Sequence, residues 1–310
     1  MIKIENLTKK YGNLTAVDNL SLQIEEGEVF GLLGPNGAGK TTTIRVLCCL
    51  ISKTSGKAML NKLSIDDKKN RIEIRKIIGL LPENVGLYES MSAYKNLDFY
   101  TKLYQVPENK RKERIEYYLK MFNLWDKKDV AAGTLSKGMK QKLALARVLV
   151  HDPKILFLDE PTASLDPEAT KVVRDYILEL KKEKRTIFLN THMLDEAERI
   201  CDRVGILKTQ LLDIGSPEKL RESLLGKKSV VEVDAVTDNI LKSIKSLGFE
   251  QISVDNNKMT IGVNDPRKDN PSIIQAIQDA GGLVQSISEL LPSLEDIYLK
   301  KVRREELSES

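Results

Sequence analysis

The sequence predicts an α/β protein with a parallel sheet, a helical insertion and a small α+β domain near the C-terminus, and three observations lead to this fold class. Continuous apolar runs of strand length occupy residues 29–33, 154–158 and 186–190, which is typical of parallel strands covered on both faces. Residues 96–149 show helical periodicity instead. After about residue 220, short strands and helices alternate in a different order. A chain of 310 residues can form one domain with a substantial core and a smaller second domain.

The first 30 residues predict an antiparallel hairpin followed by a strand. Apolar and polar residues alternate there in short runs, with turn signals at Gly12 and Gly27. The strand Val29–Leu33 leads directly into a glycine-rich loop, and residues 41–51 have the composition of a helix. An antiparallel β subdomain is therefore expected beside the α/β core.

Residues 96–149 predict a helical subdomain, at about 84–150, inserted into the α/β core. The stretch RIEYYLKMFNLW places apolar side chains at helical spacing on one face: Ile115, Tyr118, Leu119 and Phe122. The two buried strands that follow each end at a candidate catalytic residue. Ligands of open α/β sheets collect at the carboxyl ends of such strands, so we expect a site at this edge.

The order of elements after about residue 220 predicts a ferredoxin-like module. Strands are expected at residues 230–236, 251–254, 258–263 and 283–287, and helices at 238–247, 271–280 and 293–302. This gives the order β-α-β-β-α-β and a division into a main domain at 1–220 and an accessory domain at 221–310. The accessory part carries no nucleotide or metal motif, which favours packing or dimerisation over the alternative role, regulation.

Charge and composition argue against several classes of protein. The 49 basic and 45 acidic side chains are interspersed and give a formal net charge of +4, so nothing favours nucleic acid as a partner. No apolar stretch approaches the roughly 18 to 20 residues that cross a bilayer, and the N-terminus shows no apolar signal region, so a cytoplasmic protein is expected. Cys48, Cys49 and Cys201 form no C-x-x-C pair, and we expect small apolar side chains without chemistry.

One segment matches the full pattern G-x-x-x-x-G-K-[ST] between a predicted strand and a predicted helix, the context that makes such a match credible. Its glycines let backbone N–H groups converge on phosphates, and the positive end of the helix adds to the field. Lys40 is expected on the β and γ phosphates of a nucleoside triphosphate, and the Thr41 hydroxyl is a hard oxygen that suits Mg²⁺. The predicted nucleotide-binding residues here are Gly34, Pro35, Asn36, Gly37, Ala38, Gly39, Lys40, Thr41 and Thr42.

Two carboxylates follow the apolar run ILFL at the end of the second buried strand. We expect Asp159 to project from the strand end toward the metal, directly or through water. Glu160 comes next and, on a strand, points elsewhere, which lets it polarise the attacking water as general base. The flanking segments ILFL and PTASLD make this pair a strong prediction of triphosphate hydrolysis.

Together these motifs resemble the ATP-binding subunit of an ABC transporter, over about two-thirds of the chain. LSKGM stands at the position of the family signature L-S-G-G-Q. Ser136 and Gly138 match the signature, whereas Lys137 and Met139 replace its first glycine and its glutamine. Tyr11 falls where the family stacks an aromatic ring on adenine. The resemblance implies ATP and Mg²⁺ as cofactors. It also implies a head-to-tail homodimer, or a pair with another ATPase subunit, in which the signature motif reaches the γ-phosphate held by the opposite subunit.

The resemblance assigns roles to further residues. The segment Ser164 to Asp166 matches the loop that couples the two nucleotide sites, and His192 matches the histidine that contacts the γ-phosphate and supports the attacking water. Glu83 stands where the family usually has a glutamine that bridges the Mg²⁺ site and the helical subdomain touching the membrane partner. Its carboxylate keeps the side-chain oxygen and changes the charge, and we expect Glu83 to do the coupling work of that glutamine. His151 has no such placement and is interpreted as structural.

The phrases LPEN, LSKGMKQKLALARVLV and LLPSLEDIYLKKV resemble the exporter branch of the family, which includes bacterial multidrug, antibiotic-resistance and sodium-extrusion ATPases. The implied function is ATP hydrolysis that drives export through a separate membrane-spanning subunit, which holds the chain at the inner face of the cell membrane. Two alternatives stay open. One is a soluble ABC ATPase acting on the ribosome or nucleic acid, although a second cassette, a long coiled coil and zinc ligands are missing. The other is a nucleotide-binding regulatory module, which would be expected to lose a carboxylate or the histidine.

Overall fold

The structure is a computed structural model that describes residues 1–163, 165–225, 227–290, 293–295 and 297–298. The chain divides into two compact units, Met1–Ser216 and Pro217–Ser310. Within the described residues, no helix is both long and apolar enough to cross a membrane. Ser164 and half of the helix predicted at 293–302 lie outside the described residues.

The elements of the first unit follow the predicted alternation of strands and helices. Its strands are β1 Ile2–Tyr11, β2 Leu14–Ile24, β3 Val29–Leu33, β4 Ser55–Leu60, β5 Leu63–Ser64, β6 Ile78–Leu81, β7 Ile155–Asp159, β8 Thr186–Thr191, β9 Arg203–Lys208 and β10 Gln210–Gly215. Its α-helices are α1 Lys40–Leu47, α2 Lys68–Ile77, α3 Ala93–Leu103, α4 Glu108–Met121, α5 Lys137–Leu149, α6 Pro167–Lys182 and α7 Leu194–Ile200. Short 3-10 helices at Trp125–Lys127 and Ala132–Thr134 lie between α4 and α5.

The main sheet has six strands in the order β10-β9-β3-β8-β7-β6. The strands from β9 to β6 are parallel to their neighbours, and β10 pairs antiparallel with β9 at one edge. Every residue of β3, β7 and β8 is buried, as predicted for strands with both faces covered. Because these three strands are parallel neighbours, their carboxyl ends meet at one edge of the sheet.

Two subdomains complete the first unit, and both were predicted. A second sheet, of order β2-β1-β4-β5, is antiparallel throughout and shares a hydrophobic core with α1 and the main sheet. The helical part comprises α3, α4 and α5. The four side chains predicted to share one face of a helix are all buried: Ile115, Tyr118, Leu119 and Phe122.

The second unit has the predicted β-α-β-β-α-β order after an initial helix. Its elements are α8 Pro217–Leu225, β11 Lys227–Val233, α9 Asp238–Ser246, β12 Ile252–Asp255, β13 Lys258–Val263, α10 Pro266–Asp279 and β14 Val284–Leu290. The strands form an antiparallel sheet of order β12-β13-β11-β14, with the first and third strands of the motif in the centre, which is the ferredoxin-like arrangement. Side chains of α9 and α10 form a separate core with this sheet.

The helix α10 begins earlier than the prediction, which started it at Pro271. Asp265 caps the helix by accepting a hydrogen bond from the Arg267 N–H at 3.2 Å. Pro266 lies in the first turn of the helix, where a backbone N–H would have no acceptor within the helix, so proline costs no hydrogen bond there. Pro271 therefore lies inside the helix, and the aspartate–proline pair before it marks the true start.

Candidate functional site

The glycine-rich loop connects β3 to α1 at the edge where the parallel strands end. Gly37 and Gly39 have positive φ angles of 84° and 100°, which residues with a Cβ rarely adopt. A Cβ at Gly39 would also collide with the carbonyl oxygen of Ala16 in β2, and one at Gly34 with that of Leu207 in β9. The loop thus needs glycine both for its shape and for its close packing on the neighbouring strands.

Lys40 is the first residue of α1, and its ammonium group lies against the loop. Nζ donates hydrogen bonds to two carbonyl oxygens of the loop at 2.7 and 3.0 Å. Burial lowers the pKa of Lys40, whereas the negative charges of Glu160, Asp159 and Glu83 act to raise it. The lysine therefore lies within electrostatic reach of all three predicted carboxylates.

Asp159 and Glu160 occupy the carboxyl end of β7, as predicted, but the reason they diverge differs from the prediction. Asp159 is the last residue of β7 and is buried, and its Oδ1 accepts a hydrogen bond from Nδ2 of Asn190 at 3.1 Å. Glu160 lies beyond the strand with a φ of 52°, in the left-handed region. The two carboxylates are separated by this backbone turn rather than by strand alternation.

His192 directly follows β8 and contacts Glu160 in two ways. Its Nδ1 lies 2.9 Å from Oε1 of Glu160, and its backbone N–H donates to Oε2 of the same carboxylate at 3.4 Å. The Glu160 side chain is only 11% exposed, whereas that of His192 is 58% exposed. The pair therefore presents a nearly enclosed carboxylate that is oriented by an accessible imidazole.

A cleft of about 440 Å³ gathers most of the predicted site residues. Its walls combine the phosphate loop, the pair Glu160 and His192, and Glu83, the carboxylate that stands in place of the family's usual glutamine. The lining residues are Pro35, Asn36, Gly37, Ala38, Gly39, Lys40, Thr41, Thr42, Glu83, Glu160, Ala163 and His192. The other predicted site residues do not line this cleft within the described structure: Tyr11, Gly34, Ser136, Gly138, Asp159 and Asp166.

Tyr11 is the last residue of β1 and does not line the cleft. Its ring is 46% exposed, and the ammonium of Lys9 lies 4.7 Å from the ring centroid. Tyr11 pairs with Leu14 at the tip of the β1–β2 hairpin, two residues before Ala16, whose carbonyl packs on Gly39. The hairpin that carries this accessible tyrosine thus packs against the phosphate loop.

Ser136 and Asp166 both serve as helix N-caps. Ser136 Oγ accepts a hydrogen bond from the Met139 N–H at 3.3 Å at the start of α5, and Asp166 Oδ1 accepts one from the Ala169 N–H at 2.8 Å at the start of α6. The two helix starts are neighbours, since a Cβ at Gly138 would lie 3.5 Å from the Cβ of Ala169. A second cavity, of about 420 Å³, is lined by residues from the start of α5 together with Glu83, Glu160 and Ala163.

Two polar residues of the site were missed by sequence reasoning. Asn190 bonds Asp159, and Gln141 donates from α5 to the carbonyl oxygen of Pro161 at 2.7 Å. Asn190 lies in the buried strand β8, two residues before His192, and a polar residue in an otherwise apolar run was the available signal. Gln141 offered no comparable signal, because a glutamine in the first turns of a helix is ordinary.

The cysteines and His151 do not line the cleft in the described structure. Cys48 and Cys201 are buried, which raises the pKa of both thiols, and no disulfide joins the three cysteines. The His151 ring stacks on Tyr104 with centroids 3.7 Å apart, and its Nε2 lies 2.9 Å from the carbonyl oxygen of Ile78. Burial lowers the pKa of His151 to about 4, so the ring is neutral at physiological pH.

A phosphate loop between β3 and α1, faced by an acid–histidine pair from β7 and β8, defines the class of P-loop nucleoside triphosphatases. Comparison with known families narrows the class. A family model described as "ABC transporter" matches residues 17–163, and one described as "ATP-binding protein DrrA1-3-like, C-terminal domain" matches residues 215–302.

Individual relatives agree with the ABC transporter match, and one of them aligns along nearly the whole of this chain. The ABC transporter ATP-binding protein YhcH of Bacillus subtilis is 41% identical over 69% of this chain and 69% of its own length. The Nod factor export ATP-binding protein I of Cupriavidus metallidurans is 32% identical over 98% of each chain. The solved ATP-binding cassette MJ0796, a post-hydrolysis dimer bound to ADP and Pi, superposes with a TM-score of 0.64 at 27% identity, over 70% of this chain and 98% of that one. The chain belongs to the family of ABC transporter ATP-binding proteins, and its enzymatic activity is that of an ATPase.

Proposed function

We propose that this ATP-binding subunit drives export through a membrane-spanning partner that is a separate polypeptide. The ATP-binding protein of Cupriavidus metallidurans, which aligns with this chain over 98% of both lengths, is named for export of Nod factor. This name supports export as the direction of transport. The nucleotide chemistry is assigned to residues 1–220, and residues 221–310 form an accessory domain. The protein would act in the cytoplasm, at the inner face of the membrane, through that partner.

The observation that carries the proposal is the contact between Glu160 and His192 inside the phosphate-loop cleft. A carboxylate at a strand end, oriented by an imidazole 2.9 Å away, is placed to accept a proton from a water that attacks the γ-phosphate. Lys40 would hold the β and γ phosphates with its ammonium, and the loop N–H groups would hold the remaining phosphate oxygens.

The side chains around the cleft fit Mg²⁺. Thr41, Asp159 and Glu83 offer a hydroxyl and two carboxylates, which are the hard oxygen ligands this ion prefers. The amide oxygen Oδ1 of Asn190, next to Asp159, is buried without a hydrogen-bond partner in the described structure, and a water of a hydrated ion would supply one. When bound, Mg²⁺ would neutralise charge on the phosphates.

Two copies, or this chain and a related ATPase subunit, would enclose two ATP molecules head to tail. Ser136 and Gly138 do not line the cleft of their own chain in the described structure. Ser136 is exposed and Gly138 partly exposed at the start of α5, which supports contact with the nucleotide of the other subunit. Asp166, at the adjacent start of α6, would couple the two sites. Tyr11 would stack on the adenine from the hairpin beside the loop.

An exposed apolar surface on the helical subdomain supports a protein partner. Tyr88, Phe99 and Leu103 are 44%, 37% and 60% exposed, and the rings of Tyr88 and Phe99 pack edge to face with centroids 5.0 Å apart. Contiguous exposed apolar side chains mark interaction sites on soluble domains. The segment from Glu83, which lines the cleft, to Tyr88 connects this surface to the cleft along the chain. A partner bound to the surface would therefore be coupled to the cleft through this segment.

The test is purification of the chain from membranes after co-expression with candidate membrane proteins. We expect a copurifying membrane protein and a severalfold rise of ATP hydrolysis in its presence, with no rise on adding RNA or DNA. Leu103→Asp should abolish the rise and spare basal hydrolysis, whereas the control Tyr117→Asp, on exposed α4 surface, should not. Stimulation by RNA or DNA instead of a membrane protein would favour the soluble alternative.

A further inference from the structure

Gln141, in α5, is a buried polar residue that the proposed mechanism leaves without a role. It is 8% exposed, and its Nε2 donates a hydrogen bond of 2.7 Å to the carbonyl oxygen of Pro161, the residue directly after Glu160. The bond joins α5, which begins at the cap Ser136, to the loop that carries the general base.

The loop that receives this bond holds Glu160 in a demanding conformation. Its φ of 52° lies in the left-handed region, which non-glycine residues keep only when their surroundings enforce it. Two backbone bonds contribute: the Glu160 N–H donates to the Asn190 carbonyl at 3.0 Å, and the Ala163 N–H donates to the Glu160 carbonyl at 3.2 Å. The Gln141 bond is a further restraint, and it comes from α5 instead of the sheet or the loop itself.

The helix between Ser136 and Gln141 is suited to hold these two residues in a fixed relation. Gln141 lies five positions after Ser136, which is less than two helical turns. The helix is anchored further along, where every residue from Leu143 to Leu149 is buried and Arg147 Nη1 donates to the Gly86 carbonyl at 2.8 Å. A packed helix behaves as a rigid element, so fixing its first turn also fixes the position of Gln141.

We propose that Gln141 is a positioning residue that links the two nucleotide sites of the dimer. When Ser136 engages the triphosphate held by the other subunit, the start of α5 becomes fixed. Gln141 then fixes the Pro161 carbonyl, and Glu160 of the same chain keeps the orientation its own attacking water requires. The inference rests on the proposed function, from which it takes the shared sites and the role of Glu160.

The test compares Gln141→Met, which keeps side-chain length and removes the donor, with Lys142→Met, a matched control at the next position. We expect Gln141→Met to lower the kcat of ATP hydrolysis roughly tenfold with the KM for ATP nearly unchanged, because the general base is misplaced while the phosphate loop is intact. The Hill coefficient for ATP should fall from about 2 towards 1, because the sites are uncoupled. Lys142→Met should match the parent in all of these quantities.

A second variant keeps the inference testable if Gln141→Met does not fold. In Gln141→Glu the introduced carboxyl cannot donate when ionised and can donate to the Pro161 carbonyl when protonated. We expect its kcat, expressed relative to the parent at each pH, to be low at pH 8 and to recover as the pH falls towards 6, because burial raises the pKa of a carboxyl. A purely structural role of Gln141 would give a ratio that does not change with pH.

Parent-like kcat and cooperativity in folded Gln141→Met would overturn the inference, and so would a pH-independent ratio in Gln141→Glu. The proposed function is judged separately by Glu160→Gln. If that variant traps an ATP-bound dimer while Gln141→Met behaves as the parent, the positioning role alone is wrong. If that variant traps no dimer, the shared sites are wrong and the inference is lost with them.

Discussion

Glu83 adds a carboxylate to the cleft that contains Lys40. Burial lowers the pKa of Lys40, and the negative charges of Glu160 and Asp159 already act against this lowering. We predict that Glu83→Gln keeps partner-stimulated turnover within about threefold of the parent, because the amide retains an oxygen, but needs a higher Mg²⁺ concentration. Glu83→Ala should lose stimulated turnover by about tenfold or more, because the oxygen is lost. Hydrolysis assayed with the membrane partner over a Mg²⁺ series distinguishes them, and parent-like stimulation of Glu83→Ala would refute the coupling role.

His151 makes folding stability depend on pH. Burial lowers its pKa from 6.5 to about 4, so the unfolded chain binds the proton more readily than the folded one. The free energy of unfolding should therefore fall as the pH drops from 6.5 towards 4, by up to about 3 kcal/mol from this group, and be unaffected by it above 6.5.

Urea unfolding measured between pH 8 and pH 4.5 checks this prediction. His151→Phe keeps an aromatic ring to stack on Tyr104 and cannot titrate, so its stability should decline less steeply below pH 6.5. The comparison uses slopes, because loss of the contact with the Ile78 carbonyl lowers stability at every pH. Equal slopes for the two proteins would contradict a buried neutral imidazole.

At the residue scale, the sequence predicted which residues gather at the site better than it predicted their contacts. The phosphate loop, Asp159, Glu160 and His192 carry recognisable residue types at strand ends, and the structure brings them to one edge of the sheet. Asn190 and Gln141 were missed because their partners lie 31 and 20 positions away. Such pairings depend on how strands and α5 pack, which no local pattern records.

At the scale of single elements, α6 depends on its cap. Asp166 Oδ1 accepts the Ala169 N–H at 2.8 Å, and Pro167 stands in the first turn. We predict that Asp166→Ala lowers the free energy of unfolding by about 1 kcal/mol, whereas Asp166→Asn, which retains a capping oxygen, changes it by only a few tenths. Urea unfolding at neutral pH measures both, and equal losses in the two variants would exclude the cap as the cause.

Elements with a strong local signature were predicted within about a residue. The strands β3, β7 and β8 are continuous apolar runs bounded by polar residues, so their bounds follow from composition. The strand β6 was not predicted, because α2 ends at Ile77 and β6 begins at Ile78 with no turn residue between them. This strand positions Glu83, so the sequence could name that residue without showing what places it in the cleft.

For the whole molecule, the order of elements was enough to predict the fold class and the ferredoxin-like order of the second unit. Each unit has its own hydrophobic core among the described residues, so each pattern could be interpreted separately. The assembly of two copies, unlike the fold, does not follow from the pattern of a single chain. Ser136 and Gly138 lie outside the cleft of their own chain in the described structure, and only the resemblance to a dimeric family gives them a nucleotide to contact.

The most direct measurement of the central claim is the mass of Glu160→Gln in solution, with and without Mg²⁺ and ATP. We predict a monomer without nucleotide and a stable dimer with ATP, together with a loss of phosphate release of about a thousandfold, because the general base is removed while both halves of each site remain. The added substitution Ser136→Ala should weaken this dimer. A monomer at saturating ATP, or phosphate release at the parental rate, would contradict the account.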